Sequence, residues 1–309
     1  MHTHQVSENI FLIDIKTAGL DNLIASYILR AEKTIIIDCG PPSSIPNLLS
    51  GLKELDIKPE EINYIALTHV HVDHSGGAGL LLQNLPNAKV ISHPKGAPHL
   101  IDPTKLWEAS KNTLEEVAEI FGQPTMVPKD KIIIGSEGMT LDVGKNRKIE
   151  IIETPGHASH NLSYYDQDSG DLFPGEAAGA YFPKFDIVLP ATPPPFRPDI
   201  ALSTIDKLIK LNPNSLYYPH FGKSPQAVKR LNTYAKQIKI WLEIATDSIH
   251  KGEKLHTLQE RMFREDNTIP KELRETIIST INSNPIHKRT LFNNSIEGFL
   301  NFAMKSNLH

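Results

Sequence analysis

Three histidines and one aspartate lie within six residues of one another, directly after a short apolar segment. Residues 63–67 have the length and composition of a buried strand, and the sequence HVHVDH follows at residues 69–74. Side chains at positions i and i+2 of a strand point to the same side, so His69 and His71 can share one ligand position. Asp73 and His74 lie at the turn into the next helix and can face a second position beside the first. Nothing structural requires such a cluster, which predicts a metal site with room for two adjacent ions.

Three further candidate ligands lie in similar positions along the chain. His157, Glu176 and His220 each follow a short strand-like run, in turns rich in glycine and proline with the sequences TPGH, LFPGE and YPHFG. The carboxyl ends of neighbouring strands can meet at one edge of a sheet, where ligands of α/β proteins commonly bind. The sequence therefore predicts one composite site built from distant parts of the chain.

Composition excludes several classes of protein. The chain has 309 residues, of which 39% are hydrophobic and 22% are charged, so it can bury a large core. Cys39 is the only cysteine, which excludes an intrachain disulfide and a thiolate-rich metal site. Apolar runs are far shorter than the roughly 20 residues of a membrane span, and the N-terminus lacks a signal-peptide pattern. We therefore expect a cytoplasmic protein that has no membrane as a partner. Its net charge of −4 also disfavours nucleic acid as a partner.

The pattern of predicted elements changes near residue 222. Strands alternate with helices up to that point, whereas helices alone are predicted from Pro225 onward, which favours an α/β domain at residues 1–222 and a helical domain at residues 223–309. Residues 1–222 contain 18 Lys and Arg and 27 Asp and Glu. Residues 223–309 contain 14 Lys and Arg and 9 Asp and Glu. The acidic balance of the first part is unlike the basic surface of a nuclease.

The first helix of this tail carries an apolar stripe. Over about 25 residues, apolar side chains recur at alternating steps of three and four, which is the pattern of one helix face. The stripe consists of Val228, Leu231, Ala235, Ile238, Leu242, Ala245 and Ile249. One interpretation is that it packs onto residues 1–222. The other is that it also contacts a second copy of the chain and forms a homodimer.

The order of the motifs resembles that of a known family. THVHVDH, followed by TPGH, LFPGE and YPHFG, is similar to the pattern of the metallo-β-lactamase superfamily, over roughly residues 4–222. The resemblance implies an α/β fold of the αββα sandwich type, here with a C-terminal all-helical appendage. It also implies that Asp38 supports the site from behind. One divalent ion would be held by His69, His71 and His157, and a second by Asp73, His74 and His220.

The carboxylate that bridges the two ions in this superfamily is normally an aspartate, but the matching position here is Glu176. Its extra methylene lengthens the reach by about one carbon–carbon bond. Asp171 is an alternative ligand, although it stands on the other side of the LFPG turn, and we prefer Glu176. This set of nitrogen and oxygen ligands suits zinc, iron or manganese, of which we expect zinc.

The resemblance further implies a hydrolase in which a hydroxide shared by two metal ions attacks the carbonyl of a small thioester or lactone, as in the glyoxalase II-like and lactonase-like branches. Asp73 would orient the nucleophile and move a proton. Tyr181 would hydrogen-bond the developing oxyanion, or else be a packing residue at the rim. The alternatives are a phosphodiesterase of the same superfamily and a metal-binding scaffold without activity. A small molecule is the expected partner.

Overall fold

Short strands rich in isoleucine form a large part of the core of the protein. The structure, a computed structural model, describes residues 2–306, with the backbone only for Leu291. The strands are β1 (Thr3–Ser7), β2 (Ile10–Asp14), β3 (Ala25–Leu29), β4 (Thr34–Ile37), β5 (Ile62–Ala66), β6 (Lys89–Ser92), β7 (Ile132–Ile134), β8 (Thr140–Asp142), β9 (Lys148–Glu153), β10 (Leu162–Asp166), β11 (Asp171–Phe173), β12 (Ala180–Phe182), β13 (Ile187–Leu189), β14 (Ser215–Tyr218) and β15 (Gly222–Pro225).

Helices connect these strands and then follow them in the tail. They are α1 (Ile45–Glu54), α2 (Val72–Ser75), α3 (Ala78–Leu82), α4 (Ala97–Ile101), α5 (Thr104–Leu114), α6 (Glu116–Phe121), α7 (Pro198–Leu211), α8 (Ala227–Lys251), α9 (Leu255–Glu265), α10 (Arg274–Asn282), α11 (Pro285–His287) and α12 (Asn294–Ser306). A π-helical segment, Lys288–Asn293, joins α11 to α12. None of the helices within residues 2–306 is long and apolar enough to cross a membrane.

The strands form two large sheets. The first contains β1 to β7 in chain order, antiparallel up to β4 and parallel from β4 to β7. The second has the order β15-β14-β11-β10-β9-β8, and β12 pairs with β13 in a small ribbon. Ligand-bearing loops follow β5 in the first sheet and β9, β11 and β14 in the second, so the topology places the predicted ligands on both sheets.

Strand alternation divides the core into layers. In β4, Ile35 and Ile37 pack against the second sheet, whereas Ile36 packs with α1 on the opposite face. Successive strand side chains point to opposite faces, so a buried two-sided strand must be apolar throughout. On the outer face of the second sheet, Leu216 packs with α7 and α8. The layers are therefore helices, sheet, sheet and helices, which confirms the predicted αββα sandwich with a helical C-terminal region.

The tail packs through its first helix. Helix α8 is 25 residues long, as the apolar stripe predicts. Leu231 and Ile238 are fully buried in the core cluster that also contains Leu216 of the second sheet. Tyr234 and Trp241, which lie beside the predicted stripe, are equally buried, so the inward face is turned slightly from the expected one. The stripe thus packs internally, while a homodimer contact and a domain boundary after residue 222 stay predictions.

One predicted helix is interrupted. The sequence favours a single helix over residues 103–121, but the structure has α5 and α6 with Glu115 between them. Glu115 has a φ of 55° and a ψ of −129°, far from right-handed helical values, so it separates the two helices. Helix α5 lines the cavity together with the loop that follows β5.

Candidate metal centre

The seven predicted ligands lie together at one edge of the sandwich. His69 and His71 follow β5, His157 follows β9, Glu176 follows β11, and His220 follows β14. The potential ligand atoms form two groups, and within each group all of them lie within 4.8 Å of one another. The first group is His69, His71, His157 and Glu176, and the second is Asp73, His74 and His220.

The carboxylate of Glu176 lies between the two groups. Its Oε2 is 2.9 Å from His157 Nε2 and 3.3 Å from His69 Nε2 in the first group. The same oxygen is 3.3 Å from His74 Nε2 in the second group, and Oε1 is 3.7 Å from His220 Nε2. Glu176 therefore contacts both groups, which is the position that a bridging carboxylate requires.

Asp171, the alternative carboxylate, lies elsewhere. It is buried and its Oδ2 accepts a hydrogen bond of 2.8 Å from the hydroxyl of Tyr217. Asp171 begins β11 and Glu176 follows that strand, so the two carboxylates lie at opposite ends of the strand. The geometry therefore favours Glu176 over Asp171.

Asp73 completes the second group. Its Oδ2 is 3.5 Å from both His74 Nε2 and His220 Nε2. In the first group, His71 Nδ1 lies 3.0 Å from His157 Nε2. Asp73 and His71 are half-buried, whereas the other members are buried, so these two form the more open side of the site.

Backbone carbonyls orient two of the histidines. His157 Nδ1 is 2.8 Å from the carbonyl oxygen of Ala191, and His220 Nδ1 is 2.7 Å from that of Leu23. A carbonyl oxygen only accepts, so Nδ1 carries the proton and Nε2 keeps a lone pair directed at the site. A metal-ligating histidine is commonly held in this way by its second nitrogen.

Asp38 holds the centre of the site from behind, as predicted. Its Oδ2 lies 3.1 Å from His74 Nδ1 and accepts a 2.7 Å hydrogen bond from the Thr68 hydroxyl. Its Oδ1 accepts from the backbone N–H of Thr68 at 2.7 Å. The Thr68 hydroxyl oxygen is in turn 3.0 Å from His69 Nδ1. One buried carboxylate thus orients a histidine of each group.

The donor set fits a divalent metal ion. His69 Nε2 and His74 Nε2 are buried and have no hydrogen-bond partner among residues 2–306. A buried polar atom without a partner is costly, so most such atoms in proteins are satisfied by another group. Here both atoms point into a cluster of imidazoles and carboxylates, the ligand types of zinc, iron and manganese sites. A cation bound in each ligand group would satisfy the nitrogen that lies in that group.

Electrostatics prepares the same residues for a cation. Burial lowers the pKa of His69 well below its usual value, and burial next to His157 lowers the pKa of His71 to about 3. Burial alone would raise the pKa of Asp73, but His74 and His220 lower it to about 2. Likewise, contacts with His157 outweigh burial and lower the pKa of Glu176. Neutral histidines and ionised carboxylates are the forms that bind metals.

His74 differs from the other histidines. Burial would lower its pKa, yet the neighbouring carboxylates of Asp73 and Asp38 raise it well above the usual value. A cation at this position must therefore displace a proton, because only the unprotonated nitrogen can act as a ligand.

A cavity of about 290 Å³ opens onto both ligand groups. One end is formed by the ligands, with Asp73 and Glu176 among them. The other walls come from α5, from a loop with three consecutive prolines, and from the helical tail. Outside the ligand groups, the lining residues are Val70, Val72, His99, Lys105, Leu106, Ala109, Ser110, Thr113, Leu114, His160, Ala191, Pro193, Pro194, Pro195, Thr290 and Asn294.

Tyr181 is not placed as predicted. Its hydroxyl donates a 2.8 Å hydrogen bond to Asp186 Oδ1, its ring stacks on Tyr218, and the Arg230 guanidinium lies over the ring. Its backbone bonds with the segment that carries His220, through hydrogen bonds with His220 and Phe221, so the side chain is fixed on the side away from the cavity. The geometry supports the packing interpretation and not the oxyanion role.

His160 is a site residue that sequence reasoning missed. The centroid of its ring lies 5.7 Å from the centroid of the His71 ring and 6.3 Å from the centroid of the His69 ring. Its Nδ1 accepts a 3.4 Å hydrogen bond from the backbone N–H of Val70, between these two ligands. Burial lowers its pKa to about 4, so it is neutral at neutral pH. The available signal was its spacing, three residues after His157 in TPGHASH.

Comparison with known proteins agrees with this geometry. Residues 21–220 match the family model of the metallo-beta-lactamase superfamily. The metallo-beta-lactamase fold-containing protein ST1585 of Sulfurisphaera tokodaii is 33% identical over 201 residues, which are 63% of this chain and 72% of that protein. The crystal structure of ST1585 has a TM-score of 0.64 at 28% identity and covers 74% of this chain and 85% of its own.

Two other similar proteins extend the comparison. The structure of the metallo-beta-lactamase family protein TTHA1429 from Thermus thermophilus has a TM-score of 0.67 at 20% identity, covering 97% of this chain and 95% of its own, which shows a shared fold. The probable metallo-hydrolase YqjP of Bacillus subtilis is 23% identical over 185 residues, 55% of this chain, and this chain spans only 57% of its length. The family match, the sandwich and the clustered ligands agree, and the chain belongs to the metallo-beta-lactamase superfamily as a metal-dependent hydrolase.

Proposed function

We propose that the protein is a dinuclear enzyme that hydrolyses small thioesters or lactones. The observation that carries this proposal is the position of Glu176, whose carboxylate contacts His69 and His157 of one ligand group and His74 and His220 of the other. A single ion would need only one of these ligand groups. A second group on the other side of the Glu176 carboxylate therefore supports a site for two ions. Zinc is the metal that we propose, since the donor set is rich in histidine.

Divalent ions held by the two ligand groups would supply a nucleophilic water at neutral pH and a Lewis acid for the carbonyl oxygen. The protein adds Asp73, which lines the cavity and is ionised because its pKa is about 2. As an ionised carboxylate, it accepts a hydrogen bond from the attacking water and orients it towards the substrate. A proton received there can pass to the leaving group, so Asp73 is the residue that we assign to proton movement.

The shape and lining of the cavity support this substrate class. A volume of about 290 Å³ suits a small acyl group rather than a polymer. Apolar side chains such as Val72, Leu106 and Pro194 form its walls beyond the ligands. The acidic balance of residues 1–222 disfavours polyanionic substrates, since 27 acidic residues there oppose 18 basic ones. Uncharged acyl compounds fit these features better than nucleic acids do.

The experiment combines metal analysis with a substrate panel. The purified full-length protein, reconstituted with zinc, is expected to hold two ions per chain and to hydrolyse thioesters or lactones faster than phosphodiesters. His71→Ala should lose metal and activity, because it removes a ligand of the first group. His256→Ala is the matched control, since this histidine lies on the exposed face of α9.

Each part of the proposal can fail separately. One ion or none after reconstitution contradicts the dinuclear site. Preference for phosphodiesters contradicts the carbonyl substrate and favours the phosphodiesterase alternative. Two bound ions with no turnover on any compound of the panel favours a metal-binding scaffold.

A further inference from the structure

Helix α5 forms one wall of the cavity and has few anchors in the core. Leu106 and Thr113 line the cavity from this helix. Leu106 and Trp107 are buried, yet neither belongs to the hydrophobic core clusters found among residues 2–306. Within that range, Leu114 is the residue of α5 that packs on such a cluster. The position of this wall therefore depends on what holds the C-terminal end of the helix.

Arg289 of the tail reaches this end of the helix. Its Nε donates a 2.8 Å hydrogen bond to the carbonyl oxygen of Thr113, which is 176 positions away in the sequence. Its Nη2 lies 3.4 Å from the carboxylate of Glu115, the residue at which α5 ends. The last carbonyl groups of a helix have no partner within the helix and carry partial negative charge, so a guanidinium binds well there. One side chain thus joins the helical tail to the cavity wall.

A second carboxylate fixes the guanidinium itself. Arg289 Nη1 donates a 2.9 Å hydrogen bond to Oε1 of Glu297, in the first turn of α12. Each of the three guanidinium nitrogens therefore has an acceptor beside it, and the side chain is only 18% exposed. Arginine presents its donors in a rigid planar fork, so it can hold several acceptors in fixed directions. Arg289 is thus a fixed link between two helices, unlike a mobile charge on the surface.

The link lies where two walls of the cavity meet. Thr290 lines the cavity from the tail, and Thr113 lines it from α5. Arg289 precedes the first of these residues and bonds to the second. This part of the tail has its own anchor, because Ile286 packs in the core cluster that also contains Phe121 of α6. Loss of the link should therefore release α5 while the tail stays attached.

We propose that Arg289 is a positioning residue that holds the α5 wall against the tail and thereby limits the size of the acyl group that the cavity admits. The limit on acyl size rests on the proposed function, whereas the link between α5 and the tail does not. The metal ligands follow strands of the two sheets and are oriented by other groups, such as the Ala191 carbonyl at His157. Loss of Arg289 should therefore widen the cavity and leave the metal centre intact.

The first measurement follows the link by hydrogen exchange. The full-length protein, reconstituted with zinc, is compared with Arg289→Met, which keeps an apolar stem and removes every donor. Backbone amides in the last turn of α5 are expected to exchange about tenfold faster in the variant, because hydrogen bonds to a charged group are lost there. Amides of α8 should exchange at the wild-type rate, because this helix is held by the core and not by Arg289.

The second measurement follows the size of the acyl group. The same proteins are assayed with the N-acetylcysteamine thioesters of butanoic and octanoic acid. In the wild type, KM is expected to be about tenfold higher for the octanoyl compound, and in Arg289→Met this ratio should fall to within about threefold. Metal content should not change, and kcat for the butanoyl compound should stay within about twofold, since the ligands are untouched.

Two further variants separate the link from its charge. Arg289→Lys keeps the charge but has one ammonium group in place of the fork, so it should give intermediate exchange rates and an intermediate KM ratio. Lys288→Met is the matched control, because it removes the same charge from an exposed position of the same π-helical segment. It should match the wild type in both measurements. Thermal unfolding of each variant confirms that folded proteins are compared.

Three results overturn the proposal. They are exchange in Arg289→Met that is unchanged or equally faster in α5 and α8, no preference of the wild type for the shorter thioester, and the same KM ratio in both proteins. If the wild type hydrolyses neither thioester, the proposed function fails, while hydrogen exchange still tests the link. The size limit is then tested by calorimetric binding of N-ethylbutanamide and N-ethyloctanamide. A Kd ratio that falls from about tenfold to within about threefold in Arg289→Met supports the limit, and an unchanged ratio overturns it.

Discussion

The two ends of the cavity differ in how their side chains are held in place. At the ligand end, His157 and His220 each have their second nitrogen fixed by a backbone carbonyl, and His74 is fixed by Asp38. At the tail end, the walls are mostly apolar and the oxygen of Asn294 has no partner among the described residues. The difference teaches that one end holds its side chains in fixed orientations suited to a cation, whereas the other end is mainly an apolar wall.

The two ends also differ in how the chain reaches them. The ligand end collects loops that follow strands of both sheets, so its geometry depends on the sandwich itself. The tail end depends on how α8 packs against the second sheet and how α12 packs against α8. Changes at the ligand end should therefore act on metal binding, and changes at the tail end on stability and substrate recognition.

The largest effect is expected at Glu176, where the two ligand groups meet. Glu176→Gln removes the charge that contacts both groups, so the protein should lose metal and turnover should fall by at least about a thousandfold, the scale of losing an essential group. Metal content and kcat measure the two effects. Asp171→Asn is the control, since Asp171 bonds Tyr217 instead. Severe metal loss in the control with normal binding in Glu176→Gln would reverse the assignment of the bridging carboxylate.

A charge introduced into the tail core should act on stability instead. Ile238 is fully buried against the second sheet, so Ile238→Glu places an unpaired charge in an apolar environment and should cost about 3–5 kcal/mol in the free energy of unfolding. Urea unfolding followed by circular dichroism measures the loss. Lys239→Glu, at the exposed neighbouring position of α8, should change stability little. A folded Ile238→Glu protein of wild-type stability that converts a dimer to a monomer would instead assign this face to an interface.

Removal of the charge behind the ligands should have an intermediate effect. Asp38→Asn weakens the orientation of His74 without removing a ligand, and we expect metal affinity to fall by about 10- to 100-fold. Competition with a chromophoric chelator measures the affinity. Asp56→Asn is a close control, because Asp56 has nearly the same backbone conformation, φ 53° against 52°, on the exposed surface. Equal affinities in the two variants would contradict a supporting role for Asp38.

The smallest effect is expected where α12 meets the proline loop. An alanine at Gly298 would place its Cβ far inside van der Waals contact with the carbonyl oxygen of Thr192, so the helix must shift. Gly to Ala within a helix usually stabilises by about 1 kcal/mol, but overpacking against backbone costs about 1–3 kcal/mol and should outweigh that gain. Because the shift moves a wall of the cavity, KM should rise by about three- to tenfold. Met304→Ala, exposed on the same helix, should leave KM unchanged.

Much of the ligand end could be predicted from sequence because its determinants are local. A strand followed by His69 and His71 at i and i+2 directs both side chains to one side, whatever the rest of the chain does. The alternation of apolar residues in strands and the spacing of three and four in α8 are equally local, so the layers and the long helix could be predicted as well. The choice of Glu176 over Asp171 followed from their order around one turn.

Side-chain direction at the periphery could not be predicted in this way. Tyr181 is five residues from Glu176 in sequence, but pairing with the segment of His220 turns its hydroxyl to Asp186. Prolines of the loop at residues 182–198 line the cavity, whereas Phe196 of the same loop packs against Phe299 of the tail. In each case the deciding partner lies far away in the chain or in another element.

The sequence by itself determined the kind of chemistry, because ligand type, ligand order and strand periodicity are properties of short segments. The tertiary structure decided the far wall of the cavity, because this wall joins residues that are separated by 103 positions, such as Thr192 and Ser295. Contacts of that length depend on how two helices and a loop pack together, and no local pattern specifies them. Asn294 is the clearest case, since only the folded chain leaves its oxygen buried, unpaired among the described residues and next to the site.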